Sequence, residues 1–335
     1  MAQPLRFRYA PETWTEQRVR SQLLQPLRDN IGARFVSPRY DCNGPWDTYR
    51  FEMANGDLAL FATGSDGSYW MGNTETPSEL WRTDKFDWEE VPYNVTRWAQ
   101  RELLATLYER DPWLEEYPYL SWFFLPVFMS KDGRESTRSF FREHAAGFPN
   151  ADWRAGTEFF ESFLATGVMD EYRYLMAGKL GTSTDVDNVR MNAAMAEFIA
   201  ANILVDSGYD VTPEIEVTTG HSLDFRASKG GDSALVEVTR PVNPRDRVAG
   251  GPVAAVRDTA STKATGQLSK HGGGAVLFVD CSSFDDGQWG AVIGDQPSVG
   301  HRPAVVYRAR PSGAIEGYRE GSVPLELDDS ITFRD

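Results

Sequence analysis

Two short runs of alternating apolar residues, on either side of Gly230-Gly231, constrain the fold of this chain more than any other feature. The runs cover residues 223–227 and 234–238, and a two-residue glycine turn between such runs predicts a β-hairpin. Three apolar pairs then share one face, which supports the register: Ala227 with Ala234, Phe225 with Val236, and Leu223 with Val238. The same register places Asp224 opposite Glu237 on the other face.

Two opposed carboxylates destabilise a sheet unless a positive charge compensates them. A hard divalent cation is one explanation, because Mg²⁺ binds one or two carboxylates together with waters and a phosphate. Arg226, on the same face of the hairpin, is the other explanation, as the partner in a structural ion pair. The hairpin alone leaves both explanations open.

Two features outside the hairpin favour the cation. Glu197 lies on a predicted helix, residues 186–207, among alanines at helical spacing, so its carboxylate is expected to face the sheet and add a third ligand. A position at the rim of the helix is the alternative. The segment after the hairpin is basic in an acidic chain, as at a phosphate-contacting edge, although a charge run is more often a solvated face. Its basic residues are Arg240, Arg245, Arg247, Arg257, Lys263 and Lys270.

These elements together resemble the PD-(D/E)XK phosphodiesterase superfamily. The shared features are a helix with Glu197, then Asp224, the triplet Glu237-Val238-Thr239, a helix and an apolar strand at 275–280. The layout is similar to that of Holliday-junction resolvases and Mrr-like restriction endonucleases, over about residues 186–280. The resemblance implies a Mg²⁺ or Mn²⁺ ion held by the three carboxylates. The whole chain also resembles a haloarchaeal protein family to which no activity is assigned.

The chain departs from the superfamily pattern at Thr239, which stands where the catalytic lysine belongs. A threonine hydroxyl can hold a water molecule but brings no positive charge. The resemblance implies a lysine supplied from elsewhere, and Lys263 on the following helix is the first candidate, with Lys229 at the hairpin tip a weaker one. The catalytic set is then Asp224, Glu237, Thr239 and Lys263. The candidate phosphodiester contacts are Arg240 and Gln267.

The order of elements predicts an α/β chain, α+β overall. The N-terminal half reads as a β-meander followed by a helical region, and the C-terminal half as a restriction-endonuclease-like mixed sheet flanked by helices. A small, polar segment at 179–185 predicts a boundary between an N-terminal domain, 1–180, and a nuclease-like domain, 181–335. Further strands are predicted at 290–293, 304–308 and 315–318.

The acidic composition predicts a protein adapted to high salt. The net charge is -15 and lysine is far rarer than arginine, and such a surface stays hydrated where salt screens its self-repulsion. An ordinary acidic protein is the alternative. Cys42 and Cys281 are too distant in sequence for a zinc-knuckle spacing. Because no apolar run could span a bilayer and no signal segment is visible, we expect a cytoplasmic protein without a membrane partner.

The sequence supports three hypotheses about function. The first is a Mg²⁺-dependent endonuclease acting on DNA, and the second is a nuclease-fold protein that has lost catalysis and serves nucleic-acid binding or assembly. The third is an interaction protein with structural carboxylates, whose aromatic N-terminal half binds a partner. Nine of the ten tryptophans lie before the boundary, but aromatic residues at this spacing more often form a core. The expected partner is DNA, and the expected assembly is a homodimer.

Overall fold

The structure, a computed structural model, describes residues 6–74, 91–218, 221–246, 250–266, 268 and 274–334. Contacts between Cα atoms divide the chain into two compact units. The first comprises Met1–Thr137 and Gly181–Asp185, and the second Arg138–Leu180 and Val186–Asp335. The domain boundary at residue 180 stays a prediction.

The first unit contains a five-stranded antiparallel sheet in the order β1-β5-β4-β3-β2. Its strands are β1 (Arg6–Ala10), β2 (Arg34–Val36), β3 (Asp47–Glu52), β4 (Leu58–Gly64) and β5 (Gly67–Gly72). The three central strands are the predicted meander. Every residue of β4 and β5 is buried, so the centre of this sheet is covered on both faces.

A helical segment before β2 packs on this sheet. It consists of α1 (Glu16–Val19), a π-helical turn (Arg20–Leu24) and α2 (Gln25–Ile31). Leu23 and Leu27 join a core cluster with Trp14 and Trp70, which confirms the core interpretation for these two tryptophans. The later helices are α3 (Tyr93–Arg110), α4 (Pro118–Phe123), α5 (Leu125–Phe128) and α6 (Arg134–Glu143), which runs into the second unit.

An ion pair inside the first unit joins its sheet to α3. Arg50 Nη1 lies 2.7 Å from Glu102 Oε2, and the two side chains are 1% and 0% exposed. Glu102 Oε1 also accepts hydrogen bonds from the backbone N–H groups of Arg39 and Tyr40. Both charges are removed from water, so the gain from pairing them is largely offset by the cost of desolvation. Removing one partner would leave the other charge buried and unpaired, which is strongly destabilising.

Replacing Glu102 by alanine removes a carboxylate partner of the buried Arg50 guanidinium. We expect Glu102→Ala to lower the free energy of unfolding by about 3–5 kcal/mol, as for other broken buried pairs. Glu109→Ala is the matched control, since Glu109 on the same helix is exposed and its pair with Arg39 contributes less than about 1 kcal/mol. Denaturant unfolding in molar KCl measures both variants, and equal losses would contradict this assignment.

The second unit is built on a mixed seven-stranded sheet in the order β12-β11-β10-β9-β8-β7-β6. Pairing is parallel between β8, β9 and β10 and between β11 and β12, and antiparallel elsewhere. The predicted α/β class, with a C-terminal mixed sheet, is confirmed. The strands are β6 (Asp210–Thr218), β7 (His221–Lys229), β8 (Asp232–Thr239), β9 (Val276–Asp280), β10 (Ala304–Ala309), β11 (Ile315–Glu320) and β12 (Thr332–Phe333).

The β7–β8 hairpin has the predicted register over its inner part. Phe225 pairs with Val236 and Ala227 with Ala234. The turn residues, 230 and 231, have φ of 61° and 95°, the positive values that a two-residue hairpin turn requires and that glycine adopts without a side-chain clash.

The described residues of the second unit also form the helices α7 (Trp153–Leu164), α8 (Arg173–Gly178), α9 (Asn188–Asp206), α10 (Pro252–Gly266) and α11 (Asp286–Asp295). Helix α9 contacts strands β6 to β9, and α10 contacts β8 and α11. Among the residues that the structure describes, no helix is both long and apolar enough to cross a bilayer.

The strand predicted at residues 290–293 is wrong, because this stretch lies inside α11. A reciprocal capping box starts the helix: the side chain of Asp285 accepts from Gln288 N, and that of Gln288 accepts from Asp285 N. Two otherwise unpaired backbone donors are satisfied in this way. Trp289 and Val292 then bury one helical face, so the apolar residues have a spacing of three rather than two.

Candidate functional site

Asp224 lies where the pairing of β7 with both neighbouring strands is interrupted. The regular pairing with β8 ends at Phe225, and the pairs with β6 pass over Glu214, whose φ is 50°. The Asp224 carboxylate instead accepts a hydrogen bond of 2.7 Å from the backbone N–H of Val238. A side chain therefore replaces a backbone acceptor and holds the Asp224 carboxylate against β8.

Glu237 is the buried carboxylate of the hairpin, with a side chain 1% exposed. Lys263 of α10 donates from Nζ to Glu237 Oε1 over 2.5 Å. The other oxygen, Oε2, is buried and has no hydrogen-bond partner among the described residues. Burial and the negative charge of Asp224 raise the pKa of Glu237, while Lys263 acts in the opposite direction.

Glu197 projects from α9 and meets a second lysine. Lys179 Nζ lies 2.5 Å from Glu197 Oε2 and 3.0 Å from Glu214 Oε1. Burial and the charge of Asp224 raise the pKa of Glu197 to about 8, against the effect of Lys179. Burial lowers the pKa of Lys179, but its carboxylate neighbours outweigh this and raise it. The 2.5 Å contact makes Glu197 Oε2 the acceptor of a hydrogen bond from Lys179 Nζ.

We call these groups the carboxylate–lysine site, defined as Lys179, Glu197, Asp224, Glu237 and Lys263. The charge of Asp224 raises the pKa of both glutamates, so the three carboxylates interact electrostatically. Lysines rather than Arg226 supply the positive charge: Arg226 is exposed, and within the described part of the chain it forms no ion pair with them. The structure thus brings together four predicted site residues and adds Lys179.

The donor chemistry of this site suits a hard cation in part. Asp224 and Glu237 offer carboxylate oxygens, one of them buried and without a partner, and Mg²⁺ needs only one or two carboxylates beside waters and phosphate. Across the described ranges, no group of three or more His, Cys, Asp or Glu side chains is arranged to hold a metal ion. A metal ion held by Glu197, Asp224 and Glu237 stays a prediction.

The other predicted site residues lie elsewhere or are not described. Thr239 is buried at the end of β8. Arg240 is buried too: its Nε lies 3.2 Å from Asp280 Oδ2 without hydrogen-bond alignment, and its Nη1 donates to the Asn192 carbonyl. Lys229 contacts the Ser207 carbonyl and Glu326 instead of the site. Gln267 lies outside the described residues, as do Arg247 and Lys270.

The described members of the predicted basic edge are each paired with a carboxylate of the chain. Besides Arg240 and Lys263, Arg245 pairs with Asp285 at 2.5 Å and Arg257 with Asp295 at 2.9 Å. The arginines of both pairs are exposed, so each pair contributes little to stability.

Sequence reasoning missed Lys179 and Glu214. Lys179 falls in the small, polar segment that predicts a domain boundary, and nothing in its neighbourhood indicates a site. The rarity of lysine is one feature of the sequence that could have indicated the site: the chain has only six lysines, and two of them, Lys179 and Lys263, belong to the carboxylate–lysine site. Nothing in the sequence marks Glu214. Its backbone is left-handed, a conformation that is uncommon for residues other than glycine and that the residue type does not predict.

The burial of Arg240 predicts a structural role that can be measured. Arg240→Met would leave the fully buried Asp280 without its cation, so we expect the free energy of unfolding to fall by about 3–5 kcal/mol. Arg245→Met, at an exposed arginine, should cost less than about 1 kcal/mol. Denaturant unfolding compares the two. A small loss for Arg240→Met would return this residue to the candidates for phosphate contact.

Comparisons with known proteins add a family but no activity. A family model described as a family of unknown function, DUF5784, matches residues 2–327. The solved structures include a similar chain in a CdiA-CT/CdiI toxin and immunity complex from Burkholderia pseudomallei, with 20% identity over 40% of this chain and 89% of that chain. Its TM-score is 0.28, and a likeness at that level carries no argument. A comparison with curated proteins gives no match.

Proposed function

The chain belongs to DUF5784, a family of unknown function, so we propose its function from the carboxylate–lysine site and from the resemblance of its motif to the PD-(D/E)XK superfamily. The proposal is a metal-dependent phosphodiesterase of the PD-(D/E)XK kind that cleaves DNA. Asp224 and Glu237 would hold a Mg²⁺ or Mn²⁺ ion, Glu197 would lie beside it, and Lys263 would act as the catalytic cation.

The contact between Lys263 and Glu237 carries this proposal. The superfamily places its lysine two residues after this glutamate, where the chain has Thr239. Here an ammonium group from α10 lies 2.5 Å from the same carboxylate. The missing positive charge is thus restored at the site by a residue from another element.

In this proposal Asp224 and Glu237 bind the metal ion, and Lys263 contacts the phosphodiester. When bound, the metal ion supplies a Lewis acid that lowers the pKa of a water molecule and polarises a phosphoryl oxygen. Asp224 is fixed in position by the N–H of Val238, and Glu237 has a buried oxygen free to accept. Lys263 is 30% exposed, so its ammonium can reach a phosphodiester and offset negative charge that develops there.

Metal binding is the first test of this proposal. We expect the native chain to bind Mn²⁺ in molar KCl and Glu237→Gln to lose at least about tenfold in affinity, equal to about 1.4 kcal/mol, because the variant replaces a carboxylate ligand by an amide. Calorimetry measures both. Glu326→Gln is the matched control, since that glutamate is 84% exposed and pairs with Lys229. A native chain that binds no Mn²⁺ would reduce the carboxylates to structural partners of the lysines.

The role of Lys263 separates catalysis from metal binding. We expect Lys263→Met to lower the rate of DNA cleavage by about 10²–10³, the usual effect of losing one transition-state donor, without weakening Mn²⁺ binding. Lys131→Met, at an exposed lysine of the first unit, is the control. Cleavage of branched and linear DNA with Mn²⁺ gives the rates. An unchanged rate in Lys263→Met would exclude this lysine as the catalytic cation.

A second candidate function is a nuclease-fold protein without catalysis that binds nucleic acid. Two observations favour it: Thr239 is buried at the motif position, and both Glu197 and Glu237 already have a lysine partner. In that case the native chain would bind DNA with or without Mn²⁺ and would cleave neither branched nor linear substrates.

A further inference from the structure

Lys179 is held between two carboxylates at one end of the carboxylate–lysine site. Its Nζ lies 2.5 Å from Glu197 Oε2 and 3.0 Å from Glu214 Oε1, and its side chain is 15% exposed. Lys179 follows directly after α8, whereas Glu197 lies on α9 and Glu214 on β6. Two partners on different elements fix the ammonium more firmly than one exposed ion pair could.

We propose that the ammonium group of Lys179 occupies Glu197 in place of a second divalent cation, so that the site takes one metal ion, on Asp224 and Glu237. This inference rests on the proposed function, because it concerns the number of cations at the same site. It assigns Lys179 and Glu214 a role that the sequence does not reveal. Lys179 is a positioning residue here, since it acts on the ligand set and not on the substrate.

The carboxylate oxygens of Glu237 and Glu197 differ in whether they already have a hydrogen-bond partner. Glu237 retains a buried oxygen with no hydrogen-bond partner in the described residues, which a cation could use. Glu197 Oε2 is already bound to Lys179. A metal ion at Glu197 Oε2 would have to displace an ammonium group held at 2.5 Å and anchored again by Glu214, whereas Glu237 Oε2 has no lysine to displace.

Charge balance is the second argument. The carboxylates of Glu197, Glu214, Asp224 and Glu237 formally oppose two ammonium groups, Lys179 and Lys263, which leaves two negative charges. One divalent cation neutralises the group. A second would add an uncompensated double positive charge within a few ångströms of Lys179, where the low polarity of a partly buried site strengthens repulsion.

The backbone at Glu214 is the third argument. Its φ of 50° lies in the left-handed region, which costs a non-glycine residue about 1 kcal/mol or more. The distortion coincides with the interruption of the β6–β7 pairing opposite Asp224. It accompanies a side chain that ends 3.0 Å from Lys179, so the strained residue is also the second anchor of that lysine.

Mn²⁺ stoichiometry tests the proposal without any measurement of activity. Titration calorimetry in molar KCl should give one equivalent for the native chain, and electron paramagnetic resonance should show isolated Mn²⁺ without spin coupling. Lys179→Met frees Glu197 and should bind a second equivalent. Lys179→Arg keeps the positive charge and should stay at one, as should the control Lys131→Met. Lys179→Gln repeats the test with a polar side chain should the methionine variant not fold.

The outcomes distinguish a failure of the proposed function from a failure of the inference about Lys179. Two equivalents in the native chain would overturn the inference and leave the proposed function standing. One equivalent in the native chain and also in Lys179→Met and Lys179→Gln would show that Lys179 does not exclude a second ion, and would overturn it as well. No Mn²⁺ binding by the native chain would overturn the proposed function and the inference together.

Discussion

The register of the β7–β8 hairpin is the constraint on which the site depends. Gly230 and Gly231 close the turn, and the pairing that follows reaches Phe225 and Val236, the residues adjacent in sequence to Asp224 and Glu237. A shift by one residue would turn every side chain of β8 to the other face, and Glu237 would no longer lie within reach of Lys263. The position of one buried carboxylate thus rests on a turn in which both central residues have a positive φ.

Local patterns in the sequence predict this hairpin because their causes act over a few residues. Alternating apolar residues and a glycine pair specify the turn and the face, and helical spacing specifies α9 with Glu197 directed inwards. The edge strands β1 and β2 are not predicted, since their formation depends on pairing with β5 and β3, which are distant in sequence. Lys179 and Glu214 escape prediction for the same reason: their meeting depends on tertiary packing and on an unusual backbone conformation.

Arginine and lysine take different tasks in this chain. Arg50 and Arg240 lie in buried ion pairs. The planar guanidinium group of Arg50 donates to Glu102, Glu52 and Thr106 at once. In the carboxylate–lysine site, Lys263 pairs with one carboxylate, Glu237, and Lys179 lies between two, Glu197 and Glu214. A compact ammonium on a flexible stem can move between a carboxylate and a phosphate with little change in the surrounding packing. The scarcity of lysine therefore makes the position of each one informative.

The ion pairs of two exposed arginines, Arg245–Asp285 and Arg257–Asp295, would change how salt affects a complex with DNA. A phosphate group that reaches either arginine must replace a carboxylate of the chain, and the freed carboxylate then attracts a cation from solution. That uptake offsets part of the cation release that normally makes DNA binding weaken as salt rises. The chain carries its own counterions at this edge, so its affinity would fall less steeply with KCl than its number of arginines suggests.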